Sequence, residues 1–140
     1  MATTIPFKLI TPLAIKFDGE AELVIAIGTE GETGILPSHA PYLTTLRPGV
    51  LRANVTGDDG KTHRLELATG AGFLQALPDR LTILVDEAYG EKEVDVDKTR
   101  RDRQEAQERQ SHAGSDQTAY RREQDLIDLA NAKLHVAGMD

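Results

Sequence analysis

Short segments of apolar or alternating residues, separated by turns rich in glycine, proline and aspartate, fill the chain up to about residue 87. The clearest pair covers residues 50–55 and 62–67, which alternate on either side of Gly57-Asp58-Asp59-Gly60. Alternation with a period of two is typical of half-buried strands, and such a connection is typical of a hairpin. Repeated short strands of this kind predict a β-sandwich or a flattened barrel.

Further strands are predicted on both sides of this hairpin. Residues 15–17 alternate apolar and charged side chains before Asp18-Gly19, a turn signal that predicts a hairpin there. Residues 21–27 are mostly apolar and β-branched, which indicates a well-buried strand. Residues 73–77 and 80–85 predict another hairpin. With strands of roughly five to six residues, about eight to ten strands fit before residue 87.

The stretch 28–41, which reads GTEGETGILPSHAP, combines three glycines with two prolines. Glycine supplies backbone angles with positive φ, so the first half predicts a tight turn. Pro37 and Pro41 remove backbone donors and stop strand pairing on either side of His39. We therefore expect a shaped loop between two strands.

The character of the sequence changes near residue 87. Residues 97–111 contain no glycine or proline and are dominated by Lys, Arg, Glu and Gln, all good helix formers. Asp95 or Asp97 is positioned to cap this helix. A second helix is predicted from about Thr118 to Val136, ending before Gly138. Two helices this close in sequence predict an antiparallel hairpin.

The two predicted helices differ in their apolar faces. The second has a stripe at helical spacing, whereas the first offers only Val96, Ala106 and Ala113. Burying an alanine contributes much less than burying a leucine, so we expect the first helix to dock weakly and to be easily displaced. The stripe on the second helix consists of Tyr120, Leu126, Ile127, Ala130 and Leu134.

Composition excludes several classes of protein. The net charge of −7 argues against general affinity for nucleic acid. The absence of cysteine excludes disulfides, thiol nucleophiles and cysteine-ligated zinc. No apolar run approaches the length of a membrane span, and the N-terminus has no signal-peptide pattern, so we expect the protein to stay where it is made.

Catalytic patterns are not found. The four histidines have no spacing that places two ligands on one metal ion, and Ser38-His39 are sequence neighbours, which is not the geometry of an activated serine. The glycines at 28, 31 and 34 lack the Lys-Ser/Thr and the helix of a phosphate-binding loop. We expect a protein that is not an enzyme and has no metal site.

The chain resembles the epsilon subunit of the rotary F-type ATP synthase along essentially its whole length. The stretch 28–41 is the most specific part of the resemblance. The other matching segments are Ile10-Thr11-Pro12, Phe17-Asp18-Gly19, Leu46-Arg47-Pro48-Gly49-Val50-Leu51, Gly72-Phe73-Leu74, Leu81-Thr82-Ile83-Leu84-Val85 and the polar helical tail.

The resemblance implies a mainly β fold with an α appendage: a ten-stranded β-sandwich in residues 1–88 and a regulatory two-helix hairpin in residues 89–140. It implies a non-catalytic rotor subunit of the central stalk that couples proton flow through the c ring to ATP synthesis. The implied location is the cytoplasmic face of the inner membrane of a bacterium, peripheral through the complex. The implied partners are the gamma subunit, the c ring and, through helices that can inhibit ATP hydrolysis, the alpha and beta subunits.

The resemblance also assigns candidate contact residues. Glu32 matches the loop position that faces the c ring, and Thr11 and His39 match positions at the gamma interface. The basic side chains of the two helices are candidates to contact acidic residues of the beta subunit; they are Arg100, Arg101, Arg121 and Arg122.

Some bacterial members of this family bind ATP through an Ile/Leu-Asp-x-x-Arg-Ala motif, which is degenerate here. Asp95 is kept, but Lys98 and Thr99 replace the arginine and the alanine, and Tyr89 replaces an upstream acid. Lysine lacks the planar fork with which arginine holds a phosphate. We expect weak or absent ATP binding and no other cofactor.

Two other classes of function remain open at this stage. One is a soluble nucleotide sensor that uses the same hairpin as a switch. The other is a β-sandwich module that binds sugars, against which the scarcity of aromatic residues counts, since the chain has no tryptophan to stack on a sugar ring.

Overall fold

The computed structural model describes residues 3–139 as a β-sandwich of nine strands followed by two helices. The mainly β fold with a helical hairpin is confirmed, with nine strands in the described residues rather than ten. The strands are β1 (Ile5–Ile10), β2 (Ile15–Gly28), β3 (Gly31–Ile35), β4 (Tyr42–Leu46), β5 (Gly49–Thr56), β6 (Thr62–Thr69), β7 (Gly72–Leu77), β8 (Arg80–Val85) and β9 (Ala88–Tyr89); the helices are α1 (Val96–Ser111) and α2 (Gln117–Val136).

Strand β2 closes the sandwich because it is 14 residues long and contributes to both layers. Its first half pairs with β1, and its second half pairs with β3 and β5. The strand order β1-β8-β7-β4-β2, with β2 also paired to β1, forms a closed ring, and β5, β6 and β9 extend the sheet from β2. Among the strands of residues 3–139, all pairs are antiparallel except β1 with β8.

The core between the layers is built almost entirely from aliphatic side chains at alternate strand positions. The rings of Phe7 and Phe17 are the aromatic contribution, with centroids 5.3 Å apart. The largest fully buried side chains are Phe7, Ile5, Leu9, Ile35, Leu51, Leu74, Leu81, Ile83 and Val24.

The hairpin predicted at Asp18-Gly19 is wrong. Strand β2 runs through both residues, and the chain turns earlier, between Thr11 and Ala14. Gly19 serves packing instead: it lies opposite Phe7 on β1, and a Cβ here would come within 3.0 Å of the Phe17 ring. A glycine can mark a close approach inside a strand as well as a turn.

The stretch 28–41 is less irregular than expected. Its first half is a hairpin in which Thr29-Glu30 connect β2 to β3, with Gly31 at φ +123°. Strand β3 therefore occupies part of what was predicted as a single loop. The irregular part is residues 36–41, where Ser38 adopts a left-handed conformation with φ +63°.

Both helices start where a side-chain cap is available. The Asp95 carboxylate accepts from the N–H of Lys98 at the start of α1, which selects Asp95 over Asp97 as the cap. Asp116 caps α2 in the same way. Helix α2 ends as predicted, with Gly138 at φ +77° and the N–H of Met139 donating to Leu134 O at 2.8 Å.

Helix α2 packs on β5 and β6, and α1 packs on α2. The predicted stripe is right for Ile127, Ala130 and Leu134, which are buried, and wrong for Tyr120 and Leu126, which are 49% and 44% exposed. Helix α1 buries only two side chains, Thr99 and Ala106. The weak docking of α1 stays a prediction.

The division between residues 1–88 and 89–140 stays a prediction; the last residue of the first segment and the first residue of the second together form β9. Across residues 3–139, no helix combines the length and the apolar composition needed to cross a membrane.

Candidate interaction surfaces

An apolar surface lies on the outside of the layer formed by β4, β7, β8 and β1. Phe73 on β7 pairs with Leu84 on β8, and Leu84 pairs with Ile10 on β1. Leu43 on β4 pairs with Gln75, two residues from Phe73 on the same side of β7. We call Leu43, Phe73, Leu84 and Ile10 the apolar face.

Three side chains of the apolar face are exposed although large and hydrophobic: Leu43 is 69% exposed, Phe73 55% and Leu84 49%, whereas Ile10 is partly buried. Their neighbours Leu74 and Ile83 point into the core, so these strands carry apolar residues on both sides. Contiguous exposed apolar patches mark interaction sites in soluble proteins. This arrangement can bind another protein.

The sequence prediction missed the apolar face. The signal was present, because Phe73-Leu74 and Ile83-Leu84 place apolar residues at consecutive strand positions. Consecutive apolar residues require that both sides of a strand be covered. By themselves, these runs in the sequence indicate only strands.

Thr11 organises the turn that joins β1 to β2. Its Oγ1 donates to Ala14 O at 3.2 Å and accepts from the N–H of Ala14, also at 3.2 Å. Thr11 is 9% exposed, whereas Leu13 at the tip of the same turn is 97% exposed. A partner at this turn would therefore meet Leu13 before it met the hydroxyl of Thr11.

His39 lies in the proline-bounded loop that precedes β4. Its Nδ1 is 2.9 Å from Ala40 O, and its ring centroid is 6.3 Å from that of Tyr42. No group of three or more potential metal-ligating side chains occurs in residues 3–139. His39 lies shortly before β4, near the end of that strand that carries Leu43, a member of the apolar face.

Glu32 lies on β3, a strand that pairs only with β2 among the strands described. Arg52 on β5 donates from Nη2 to Glu32 Oε1 across β2. Both side chains are partly exposed, so this ion pair orients the carboxylate while contributing little to stability. Glu32 therefore lies at the end of the sandwich that carries the β2–β3 hairpin.

The four candidate arginines do not form one surface. Arg109 contacts Glu123 and Arg103 contacts Asn131, which fixes the antiparallel register of the two helices. In that register the pair Arg100-Arg101 lies about 15 Å along the helix axis from the pair Arg121-Arg122, at 1.5 Å per residue. All four are exposed. A partner would have to contact the two pairs separately.

The degenerate nucleotide motif lies beside a small cavity of about 220 Å³ between α1, α2 and the end of the sandwich. Lys98 Nζ is 2.7 Å from Asp102 Oδ2, and this contact raises the pKa of Lys98 and lowers that of Asp102. Thr99 is buried and donates to Asp95 O at 2.7 Å. The side chains at the motif are therefore already engaged with one another.

Acidic residues gather where β8 and β9 lead into the helices. Burial, reinforced by the charge of Glu87, raises the pKa of Asp86. Tyr89 donates to Glu87 Oε1 at 2.6 Å, and this hydrogen bond raises the pKa of Tyr89 to about 12. Lys16 holds Glu93 at 2.6 Å and lowers the pKa of that carboxyl. These contacts stabilise the segment that connects the sandwich to α1.

A groove of about 540 Å³ separates α2 from the open end of the β7–β8 hairpin, where the chain enters β7 and leaves β8. Its sandwich side includes Ala71 and Asp86, and its helix side includes Arg121, Arg122 and Leu126. We call this the hairpin groove. Two of the candidate arginines therefore face a cleft shared with the sandwich.

Comparison with known proteins identifies the family to which the chain belongs. Residues 4–91 match the family model described as the ATP synthase Delta/Epsilon chain, beta-sandwich domain. The chain is 34% identical to the ATP synthase epsilon chain of Magnetococcus marinus over 96% of its own length and 94% of that relative. It is 37% identical to the ATP synthase epsilon chain of Rhodospirillum rubrum, covering 83% of this chain and 84% of the relative.

Two solved structures share the fold. A chain in the cryo-EM structure of the Euglena gracilis mitochondrial ATP synthase, OSCP/F1/c-ring in rotational state 1, superposes with a TM-score of 0.73 at 20% identity, over 96% of this chain and 81% of that one. A chain in the central stalk/c-ring structure of the Tetrahymena thermophila mitochondrial ATP synthase gives a TM-score of 0.55 at 22% identity, over 68% and 72%. The family match and the bacterial relatives together show that this chain belongs to the ATP synthase epsilon chain family.

Proposed function

We propose that this chain is a non-catalytic rotor subunit of the central stalk of an ATP synthase, and that it couples proton flow through the c ring to ATP synthesis. The observation that carries the proposal is the apolar face, an exposed hydrophobic surface on a sandwich whose core is already complete. The family membership supports the assignment of its occupant as the gamma subunit. We place the protein at the cytoplasmic face of a bacterial inner membrane, bound peripherally through the complex.

Two smaller surfaces extend this proposal. Glu32, presented by the β2–β3 hairpin and held by Arg52, is the candidate contact to the polar loops of the c ring. Thr11 and His39 flank the region that would meet gamma. These assignments rest on the family resemblance and on the exposed positions of the turns that carry the residues.

The test of gamma binding uses gel filtration of the full chain with purified gamma subunit. We expect a stable complex for the wild type, and loss of the complex for Phe73→Asp, which places a charge in the middle of the apolar face. Tyr120→Asp is the control, because Tyr120 is similarly exposed but lies on α2. Failure of the wild-type chain to bind gamma would contradict the proposal.

We also propose that the helical hairpin can inhibit ATP hydrolysis through contacts of its arginines with the alpha and beta subunits. The hairpin supports this role because α1 packs mainly on α2, so α1 can move without opening the β core. Enzyme depleted of its own epsilon subunit would be reconstituted with the full chain or with residues 1–90. Inhibition predicts faster hydrolysis with the shorter chain, and equal rates would exclude it.

A further inference from the structure

We propose that His135 and Glu66 form a pH-sensitive latch, which holds the C-terminal end of α2 on the sandwich more tightly when the imidazole is protonated. This device goes beyond the proposed inhibitory role of the hairpin, because it makes the docking of α2 depend on the pH of the surrounding solution. Its test uses only the isolated full chain, so a negative result would leave the proposed function untouched.

The latch joins two elements that pack on each other. His135 lies in the last turn of α2, and Glu66 lies on β6, one of the two strands that α2 covers. His135 Nε2 is 3.6 Å from Glu66 Oε2, and the two side chains are 44% and 32% exposed. A protonated imidazole carries a positive charge that attracts the carboxylate at this distance, whereas a neutral imidazole carries none. Protonation therefore strengthens a contact between α2 and the sandwich.

The latch lies in the half of α2 that is more closely packed on the sandwich. In the first half the hairpin groove separates the helix from the strands, and Leu126 is 44% exposed, whereas Leu134 beside the latch is 2% exposed. Lys133 Nζ also lies 4.1 Å from the centroid of the Tyr89 ring. Lysine stays charged through the pH range in which histidine titrates. The latch thus adds a pH-dependent contact to apolar and cation–π contacts that persist at neutral pH.

Glu66 has other cations near it. On β6, Arg64 Nη2 is 3.5 Å from Glu66 Oε2. On β5, Arg52 lies opposite Glu66 in the strand register, but its guanidinium donates to Glu32. When His135 loses its proton, Glu66 keeps Arg64 as a partner. The change therefore weakens the attachment of α2 without leaving an unpaired carboxylate on β6.

The charges on the helix side of His135 are set by α2 itself and by the end of the chain. From α1, Lys98 and Asp102 line a cavity with Lys133, and His135 does not border that cavity. The last carbonyl groups of α2 favour a positive charge at this end of the helix. Asp140 is the nearest acidic residue in the sequence. The helix terminus and Asp140 are therefore the alternative sources of a pH response, which the test has to separate from the latch.

Docking should be tighter in mildly acidic solution than in alkaline solution. Histidine ordinarily takes up its proton near pH 6.5, in the range where few other side chains titrate. A histidine that binds its proton more tightly when α2 is docked stabilises docking below this pH, and the stabilisation is lost as the pH rises above it. Because both side chains are partly exposed, we expect the opening equilibrium of the last turns of α2 to change about two- to fivefold.

The test measures amide hydrogen exchange of residues 130–137 by NMR at about pH 5.5 and about pH 8, corrected for the intrinsic pH dependence of exchange. In the wild type we expect the protection to fall about two- to fivefold between these pH values. His135→Lys keeps the positive charge and should stay protected at both, whereas Glu66→Gln should lose most of the pH response. His63→Gln is the matched control and should respond like the wild type, because His63 contacts Asp59 at the β5–β6 turn.

Equal protection of the wild type at the two pH values would overturn the inference. It is also overturned if Glu66→Gln responds like the wild type, because the response then does not come from the contact with β6. In that case Asp140→Asn shows whether the source is the carboxylate of Asp140 or the helix terminus. Circular dichroism at 222 nm verifies that each variant keeps its helices before the exchange rates are compared.

Discussion

Arg109 on α1 donates from Nε to Glu123 Oε1 on α2 at 2.9 Å, and the Glu123 side chain is only 5% exposed. A buried carboxylate between two helices is stable only when it is paired. Around it the helix contact is polar, with Gln110 Nε2 donating to Gln124 Oε1 at 2.8 Å and Arg103 Nη1 to Asn131 Oδ1 at 3.0 Å. The hairpin is therefore fixed by hydrogen-bond register more than by apolar burial.

Removing one partner of this pair should loosen the hairpin. Arg109→Ala leaves the Glu123 carboxylate without its closest donor, and we expect a loss of about 1–3 kcal/mol in the stability of the helices. The measurement is urea unfolding followed by circular dichroism at 222 nm, with amide exchange of α1. Lys98→Ala, which breaks an exposed pair with Asp102, is the control and should change stability by less than about 0.5 kcal/mol. Equal effects of the two variants would contradict the role of Glu123.

Gly72 is required by the close approach of β7 to β8. A Cβ at this position would lie 1.9 Å from Leu84 O and 2.7 Å from Val85 Cα, both backbone atoms that cannot rotate away. We expect Gly72→Ala to destabilise the sandwich by about 1–3 kcal/mol or more. In Gly34→Ala the nearest atom is Leu23 Cδ1 at 3.7 Å, so this control should unfold at nearly the wild-type urea concentration.

Removing the charge of Asp86 should make the folded protein more stable. Burial raises the pKa of this carboxyl in the folded state. Its contribution to the free energy of unfolding is therefore most favourable below the pKa of the unfolded chain, about 3.9, and is lost as the pH rises through the folded-state pKa. Asp86→Asn should therefore raise the melting temperature at pH 7, with the difference shrinking toward pH 4. Glu93, whose pKa Lys16 lowers, should behave in the opposite sense, so that Glu93→Gln destabilises at pH 7 and not in acid. A destabilised Asp86→Asn at pH 7 would contradict this assignment.

ATP should bind weakly or not at all to the isolated chain. Lys98 is engaged by Asp102, and the Thr99 hydroxyl lies buried against Asp95 O, so the side chains of the motif itself offer no bidentate donor to a phosphate. Calorimetry with Mg-ATP should show no saturable binding at micromolar concentrations. The double variant Lys98→Arg with Thr99→Ala should bind more tightly. Micromolar affinity of the wild type would overturn the prediction and favour the nucleotide-sensor alternative.

Glu32→Ala should separate coupling from folding. The Glu32–Arg52 pair is partly exposed, so its loss should change the free energy of unfolding by no more than about 1 kcal/mol. In the reconstituted enzyme, the ratio of proton pumping to ATP hydrolysis should fall. Asp58→Ala, at the tip of the exposed β5–β6 turn, should leave both quantities unchanged. A large drop in melting temperature for Glu32→Ala would instead assign the hairpin a structural role.

Several elements could be predicted from the sequence because their signals are local. Alternation around Gly57–Gly60 and in residues 73–77 and 80–85 located two hairpins, and the acidic residues Asp95 and Asp97 located the start of the first helix to within two residues. These features depend on a few neighbouring residues, because strand period, turn chemistry and helix capping act over short distances. The family resemblance was likewise carried by contiguous motifs.

Tertiary contacts distinguish a glycine that turns the chain from a glycine that makes room for a neighbouring side chain. Asp18-Gly19 has the composition of a turn, yet Gly19 lies within a strand against the ring of Phe17. The same holds for surfaces: Leu126 belongs to an apolar helical stripe but faces solvent, and Glu123 is charged but buried by α1. Burial is set by what lies opposite a side chain, often from a distant part of the chain. The apolar face and the hairpin groove exist only once β4, β7, β8 and α2 have been brought together, which no local pattern specifies.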